Sequence, residues 1–182
     1  TSNTFGTASD ANAHVTTNTL TASTATLTVV NNASIGAATV IEGQSELLIG
    51  SFLFQTSASE GVNISSIVSD IAVGDVTVAT GLTNFKIKRA DTGAQIGSTI
   101  ASPAATNNNV TVSGELNIPA STTVQIDLYA NANTAASDGG TDDTYTASMN
   151  AADVTGVGAT SGTSITGPSA TATARALTIV QG

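Results

Sequence analysis

The sequence has no cysteine, no tryptophan and a single histidine, His14, among its 182 residues. Without cysteine, disulfide bonds, zinc–thiolate sites and thiol nucleophiles are all excluded. One histidine cannot build a multi-histidine metal site in one chain, and His14 is the only candidate base for a Ser–His–Asp arrangement. We therefore expect a protein that is stabilised by burial and hydrogen bonding and that is not an enzyme.

Positive charge is also scarce. Lys and Arg number 4 against 13 Asp and Glu, which gives a formal net charge of −9. Such a chain repels phosphate backbones and anionic lipid headgroups, so nucleic acid is excluded as a partner. There is no basic leader and no apolar run near the length of a membrane span, which predicts a mature, soluble segment without membrane insertion.

The apolar residues that are present are mainly small or β-branched. Hydrophobic residues make up 40% of the chain and aromatic residues only 3%, a composition that favours thin sheets over a helical bundle. Val124, Ile126, Leu128 and Ala130 alternate with other residues, as in a strand with one buried face. About eight to ten such segments are expected. The sequence predicts an all-β fold, an immunoglobulin-like or jelly-roll-like β-sandwich.

The sequence also predicts the bounds and faces of individual strands. In a strand over residues 45–56, Leu48 would share one face with Gly50, Phe52 and Phe54. Lys86 and Lys88 would share a face of another strand, where they would protect a sheet edge from aggregation. Further strands are predicted over 62–68, 76–79, 84–89, 95–100, 122–131, 145–151 and 174–180.

Asp91-Thr92-Gly93 has two interpretations. The tripeptide occurs around the catalytic carboxylate of aspartic proteases, but that chemistry needs two such carboxylates sharing a proton. The sequence holds no second copy. Because Asp can bond its own backbone and Gly can adopt a positive φ, we interpret the segment as a hairpin turn.

The chain divides into two parts. Residues 1–20 are mostly small and polar and have too few apolar side chains to fold alone, so we expect an extended arm. Residues 21–182 contain no proline-rich or charged linker and are predicted to form one β-sandwich domain. Phe5, Val15 and Leu20 are the large apolar residues of the arm and the candidates for contacts with another subunit.

A decapeptide near the start of the chain is almost repeated at its end. Thr21–Val30 reads TASTATLTVV and Thr171–Val180 reads TATARALTIV, at a constant offset of 171 − 21 = 150 residues. The same kind of strand at both ends indicates either one period of a repeating array or a subunit that joins head to tail. In the second case the arm would complete a sheet of the next subunit by β-strand addition.

Two kinds of modification or ligand site are candidates. Asp138, Asp142 and Asp143 lie in the most acidic stretch, and carboxylate and carbonyl oxygens are the ligands that Ca²⁺ selects. Asp153 is a further candidate ligand from the next segment. Calcium is therefore the one cofactor that the sequence suggests, with a solvated loop as the alternative. Glycan acceptor sequences begin at Asn32, Asn63 and Asn109.

The chain resembles the Thr-, Ser- and Asn-rich, cysteine-free β-sandwich units of prokaryotic surface-layer proteins, adhesin repeats and donor-strand filaments. The resemblance is carried by composition, by the recurring short strands and by the closing Leu177-Thr-Ile-Val180, without a diagnostic motif. It implies an extracellular, cell-surface location and a structural role in a homopolymer of identical subunits, such as a pilus-like fibre in adhesion or biofilm. Chaperone–usher pilins commonly carry a disulfide and type IV pilins a long apolar helix, and both features are missing here.

Two alternatives remain open at the level of sequence. One is a single repeat of a large surface-layer or adhesin protein, since the 150-residue offset fits a tandem unit. The other is a secreted carbohydrate-binding module. Such modules usually present exposed Trp or Tyr platforms, whereas this chain has no Trp and two Tyr.

Overall fold

The structure, a computed structural model, describes residues 24–74, 78–114, 116–134 and 142–182. These residues form thirteen strands and one short helical turn, α1 (Val78–Gly81). The all-β prediction is confirmed. A strand over 76–79 is wrong at Val78 and Ala79, because this short segment forms the helical turn that leads into the next strand. The predicted arm lies outside the described residues.

The strands follow one another along the chain with short connections. In order they are β1 (Leu27–Asn31), β2 (Ala38–Ile41), β3 (Leu47–Thr56), β4 (Val62–Ala72), β5 (Leu82–Arg89), β6 (Gln95–Ile100), β7 (Asn108–Thr111), β8 (Asn117–Ile118), β9 (Thr123–Ala132), β10 (Asp143–Met149), β11 (Val154–Gly158), β12 (Ser164–Gly167) and β13 (Ala172–Val180).

These strands build two sheets rather than a barrel. The first sheet has five strands in the order β1-β3-β9-β5-β6, and the second runs β12-β11-β4-β10-β13-β2. In the second sheet Ile67 of β4 pairs with Val154 of β11 and with Val110 of β7, so β4 has neighbours on both edges. All pairs are antiparallel except β13 with β2, which is parallel.

The sheets pack face to face around one cluster of buried apolar residues. Their close approach is visible at Gly50 of β3, where an added Cβ would lie 3.1 Å from the Ala147 Cβ and 3.2 Å from the Ala174 Cβ, both on the second sheet. Small residues at these three positions therefore let the layers meet. The arrangement is β-sandwich-like, with Phe52, Phe54 and other side chains of alternate positions filling the interior.

One predicted strand face needs correction. The pairing of β3 with β9 shifts register between Leu48 and Gly50, and both Ile49 and Gly50 are buried. Such a bulge places two residues opposite one and reverses the alternation. Phe52 and Phe54 do share the buried face with Gly50, as predicted, but Leu48 does not belong to that face and is only partly buried.

The hairpin prediction is confirmed and the edge-strand prediction is wrong. Strands β5 and β6 pair antiparallel, the Arg89 amide donates to the Ala94 carbonyl at 2.9 Å, and Gly93 has a φ of 69°. However, β5 lies between β9 and β6 and is not an edge. Its Lys86 and Lys88 do share a face, as is shown by their common contact with the carboxylate of Glu46.

Candidate functional site

The strand β1 leaves one of its backbone edges unpaired within the described chain. The Asn32 amide donates to the Ser51 carbonyl at 2.9 Å, and the Ser57 amide donates to the Thr26 carbonyl at 3.2 Å. Even-numbered residues of this segment thus direct their backbone groups toward β3. Because these groups alternate in direction along an antiparallel strand, the backbone N–H and C=O groups of Val29 and Asn31 point away from β3. No described strand pairs with them on that side.

A second unpaired stretch lies on β13. Its neighbour β10 accompanies the strand from Ala172 to Ile179. The other neighbour, β2, pairs only with the residues from Leu177 to Val180. The first half of β13 therefore has a strand on one side only among the described residues, although it belongs to the interior of the second sheet.

These two stretches border a groove of about 250 Å³, which we name the edge groove. Next to the lining residues in sequence, Gly167 and Leu27 approach closely, since a Cβ added to Gly167 would lie 3.1 Å from the Leu27 carbonyl oxygen. Val30, at the mouth, is 45% exposed and is one of the few large apolar side chains that the described surface leaves open. The lining residues are Thr28, Val29, Val30, Asn31, Ser169, Ala170, Thr171, Ala172 and Thr173.

The lining suits an extended peptide better than a small molecule. The groove falls below the roughly 300–1,000 Å³ of small-molecule sites, and no aromatic or charged side chain lines it. A sugar would find no stacking platform here. Unpaired strand backbone with small side chains is what β-strand addition requires, since main-chain hydrogen bonds supply the affinity.

Arg175, two residues beyond the groove lining, differs from the other three cations of the chain. Lys86, Lys88 and Arg89 each bind a carboxylate. The guanidinium of Arg175 instead donates to the Gly36 carbonyl at 3.1 Å and to the Leu48 carbonyl. Its Nε is buried without a partner among the described residues, and burial lowers the pKa of this guanidinium.

The start of the described chain is fixed to the loop between β3 and β4. The Thr26 amide donates to Ser57 Oγ at 3.1 Å, and Ser59 Oγ donates to the Thr24 carbonyl at 3.0 Å. These bonds hold Thr24 and Thr26 against this loop. His14 and the predicted linking residues Phe5, Val15 and Leu20 lie outside the described residues.

The matched decapeptides occupy related but unequal positions. Leu27 and Leu177, which correspond to each other, are both buried, and so are Val29 and Ile179. Strand β1 nevertheless forms an edge of the first sheet, whereas β13 lies between two strands of the second. The correspondence therefore concerns which side chains face the core, not the place in a sheet.

The predicted calcium ligands are only partly within the described chain. Asp138 lies outside it, Asp142 is exposed, and Asp143 is buried at the start of β10. Asp153 follows the far end of β10 and accepts a hydrogen bond from the Asn150 amide at 2.6 Å, so the strand, about 20 Å long, separates it from Asp143. Among the described residues no group of three or more His, Cys, Asp and Glu side chains could hold a metal ion.

The three glycan acceptor candidates differ in accessibility. Asn32 is 8% exposed, and its amide nitrogen, the atom that would carry a glycan, donates to Ser51 Oγ at 3.3 Å. This placement disfavours Asn32 as an acceptor in the folded chain. Asn63 is partly buried and accepts a hydrogen bond from Asn117. Asn109 is exposed on β7.

Neither the edge groove nor the special position of Arg175 was predicted from the sequence. The groove is formed by chain segments that are distant in sequence, and its walls are ordinary Thr, Ala and Val residues. Arg175 had a detectable signal, because it is the only charged residue in the two matched decapeptides and corresponds to Ala25. A charged residue in one copy of an apolar-rich strand indicates a local role.

Comparison with known proteins adds no further constraint on these residues. No protein-family model and no curated protein matches this sequence. Within the described part of the chain no helix is long and apolar enough to cross a membrane. The features that bear on function are therefore the geometry of the edge groove and the sequence that precedes Thr24.

Proposed function

We propose that the protein is a structural subunit of an extracellular filament, in which residues from the N-terminal segment of one subunit add a strand to the edge groove of the next. The fold would then be an immunoglobulin-like or jelly-roll-like sandwich that is completed by a neighbour. The observation that carries the proposal is the pair of unpaired backbone stretches on β1 and β13, which border one groove.

Edge chemistry supports this assignment. An unpaired edge is a hazard because it can pair with any exposed strand. Pairing with an identical subunit converts that hazard into ordered assembly, and a contact between two different surfaces of identical subunits leaves both ends of the assembly open. A fibre is the expected product.

The length of the preceding segment also supports strand donation. Twenty residues in an extended conformation span roughly 65 Å, whereas a compact domain of this size is about 40 Å across. The segment can therefore reach the groove of a neighbour. It contains Ala11-Asn-Ala-His-Val15, an alternation of apolar and polar residues that suits a strand with one face turned inward.

Deletion of residues 1–20 tests the proposal. Negative-stain microscopy of the full chain should show fibres, and the shortened chain should remain monomeric at the same concentration. Monomers in both samples would contradict strand donation, and fibres in both would place the contact elsewhere.

A groove substitution supplies an independent test with a matched control. Ala170 is exposed and lines the groove, so Ala170→Trp should occupy the space of the donated strand and prevent fibres. Ala94→Trp makes the same chemical change at the exposed β5–β6 turn and should leave fibres intact. Equal behaviour of the two variants would contradict a role for the edge groove.

A covalent array is the second candidate, and the matched decapeptides favour it. A tandem protein would repeat a unit of 171 − 21 = 150 residues, with a β1-type and a β13-type strand at its boundaries. Fully denatured protein from the native source distinguishes the two cases. A mass near 17.8 kDa supports strand donation, and a mass several times larger supports the array.

A further inference from the structure

We propose that the strand donated by a neighbouring subunit pairs with β1 and extends the first sheet, while the start of β13 contacts it only through side chains. The template is the set of outward backbone N–H and C=O groups of Val29 and Asn31, and the donated strand contains Ala11–Val15 of a second copy of this chain. This pairing rests on the proposed strand donation and specifies the edge, the residues and the strand face that the edge groove accepts.

Strand β1 is a regular template. It pairs with β3 from Leu27 to Asn31 without a register shift, and its even-numbered residues direct their backbone groups toward β3. The backbone groups of Val29 and Asn31 therefore point outward, and an antiparallel strand at that edge exchanges both an N–H and a C=O hydrogen bond with each of them. Leu27 is less accessible, because Gly167 lies against its carbonyl oxygen.

The start of β13 is a poorer template than β1. Its pairing with β10 shifts register at Ala174 and Arg175, and a bulge of this kind interrupts the ladder. The residues from Ser169 to Thr171 belong to the connection that precedes the strand. The Arg175 guanidinium reaches the Leu48 carbonyl of β3, so this side chain joins the two sheets beyond the groove. A regular ladder therefore has very little of β13 available.

The opposite edge of the first sheet is protected against strand addition. The pairing of β6 with β5 shifts register between Ile96 and Ile100. Within this stretch Gly97 has a φ of 62°, and a Cβ added there would overlap the Thr111 carbonyl of β7, so β6 lies against the second sheet. Gln95 also donates its side-chain amide to the Gly97 carbonyl at 3.1 Å. Because a bulged and covered edge resists pairing, β1 is the edge of this sheet that offers a regular template.

The inner side of the added strand would face small side chains. Opposed residues of an antiparallel pair share a face, so the donated residues opposite Val29 and Asn31 turn inward, as Val29 does at 3% exposure. The wall that they meet across the groove contains Ala170 and Ala172. A groove of about 250 Å³ with such walls has room for small apolar side chains, and its lining contains no charge that could compensate a buried one.

The N-terminal segment contains a stretch with the matching pattern. Ala11, Ala13 and Val15 occupy alternate positions, with Asn12 and His14 between them. In an extended strand the three apolar side chains share one face and the two polar ones share the other. The odd-numbered face therefore enters the groove and the even-numbered face stays in solvent, which commits the groove to a second copy of the same chain.

Two Asp substitutions test the face of the donated strand in the full-length protein. Ala13→Asp places a carboxylate on the inner face, where burial without a partner is unfavourable, and should raise the protein concentration needed for fibres by at least about tenfold. Asn12→Asp adds the same charge at the preceding residue, on the outer face, and should assemble as the unmodified chain does. Equal effects of the two variants would overturn the inward orientation of Ala13.

Two proline substitutions test the edge. Asn31→Pro removes the outward N–H of an exposed residue, a change that an edge strand tolerates, and should raise the same concentration by about two- to tenfold, the effect of one lost hydrogen bond. Thr39→Pro, at an exposed position of β2, is the matched control and should assemble normally. Its N–H also points outward, because the Glu42 amide donates to the Val180 carbonyl and the even-numbered residues of β2 therefore face β13.

The outcomes separate the β1 pairing from strand donation itself. Normal assembly of Asn31→Pro, or an equal loss in Thr39→Pro, overturns the pairing with β1, and it does so even if Ala170→Trp shows that the groove is occupied. The melting temperature of each monomer, measured below the assembly concentration, checks that the proline variants fold. The Asp variants alter the donated segment alone, so they test the proposal even if a proline destabilises the sandwich. If the unmodified chain forms no fibres, strand donation is wrong and the β1 pairing falls with it.

Discussion

The hydroxyl of Ser51 donates a hydrogen bond to Asp127 Oδ1 at 2.7 Å, and both residues are buried on the face of the first sheet opposite the apolar interior. Asn32, at the end of β1, donates to Ser51 Oγ at 3.3 Å, and Gln125 donates to the same Asp127 oxygen at 3.0 Å. This polar cluster joins the edge strand β1 to β3 and, through Ser51, to β9, and it therefore supports one wall of the edge groove.

Ser51→Ala should destabilise the protein through this cluster. The substitution removes a donor to a buried carboxylate and leaves Asn32 without its acceptor, for which a loss of about 1–3 kcal/mol in the free energy of unfolding is expected. Denaturant unfolding measures it. Ser164→Ala, at an exposed position at the start of β12, is the matched control and should change stability by less than about 0.5 kcal/mol. Similar values for both variants would show that the cluster contributes little.

The sequence predicted well the faces of strands that keep a regular alternation. Val124, Ile126 and Leu128 were assigned to a buried face, and all three are buried. Leu48 was assigned wrongly because the bulge in β3 depends on its pairing with β9, a partner far away in sequence. Local alternation carries no information about such a register shift.

Strand β11 was not predicted, because its two glycines obscure the strand pattern. Strand β11 reads VTGVG, and glycine is disfavoured in strands for entropic reasons. Here Gly156 is required by packing, since an added Cβ would overlap the Asn63 carbonyl on β4. The edge groove could not be predicted from local sequence patterns either. It is formed by β1 and β13, which are far apart in sequence and belong to different sheets.

Gly81 should tolerate no side chain. It ends α1, and an added Cβ would overlap the Tyr145 hydroxyl and lie 2.8 Å from its Cζ. Tyr145 is fully buried and cannot withdraw without a cavity. We expect Gly81→Ala to lower the free energy of unfolding by at least about 1–3 kcal/mol, as in overpacked cores. Gly36→Ala is the control, because nothing lies within 4 Å of its added Cβ. Normal stability of Gly81→Ala would contradict this packing.

Calcium binding at Asp138, Asp142 and Asp143 stays a prediction of the sequence. If an ion binds there, addition of Ca²⁺ to chelator-treated protein should raise the melting temperature, since a ligand at about 100 times its Kd stabilises by roughly 2.7 kcal/mol. Asp142 is exposed, so Asp142→Asn should abolish the rise with little effect on the apo protein. A melting temperature that is insensitive to Ca²⁺ and to chelator would count against the site.

Glycosylation should follow accessibility. Of the three acceptor sequences, we expect a glycan at the exposed Asn109 and none at Asn32, whose amide is engaged with Ser51 inside the fold. Mass spectrometry of peptides from the native source measures occupancy at each position. A glycan at Asn32 would mean that modification precedes folding or that the cluster around Ser51 opens.

Glu60 should give the protein a specific loss of stability in acid. Its carboxylate accepts hydrogen bonds from the Ser161 hydroxyl at 2.6 Å, the Thr160 amide at 2.7 Å and the Ser161 amide at 2.9 Å. These bonds, the Ser161 hydroxyl first, lower the pKa of Glu60 from 4.5 to about 2. Because the pKa is lowered in the folded state, the stabilisation is complete above pH 4.5 and is lost as the pH falls toward about 2.

The measurement is the melting temperature of the full chain and of Glu60→Gln between pH 6 and pH 2. The variant should be less stable than the unmodified protein above about pH 5, because an amide oxygen accepts these bonds more weakly than a carboxylate. The two curves should converge as the pH falls through the window in which Glu60 binds its proton. Curves that stay parallel throughout would show that the carboxylate does not hold the β11–β12 turn.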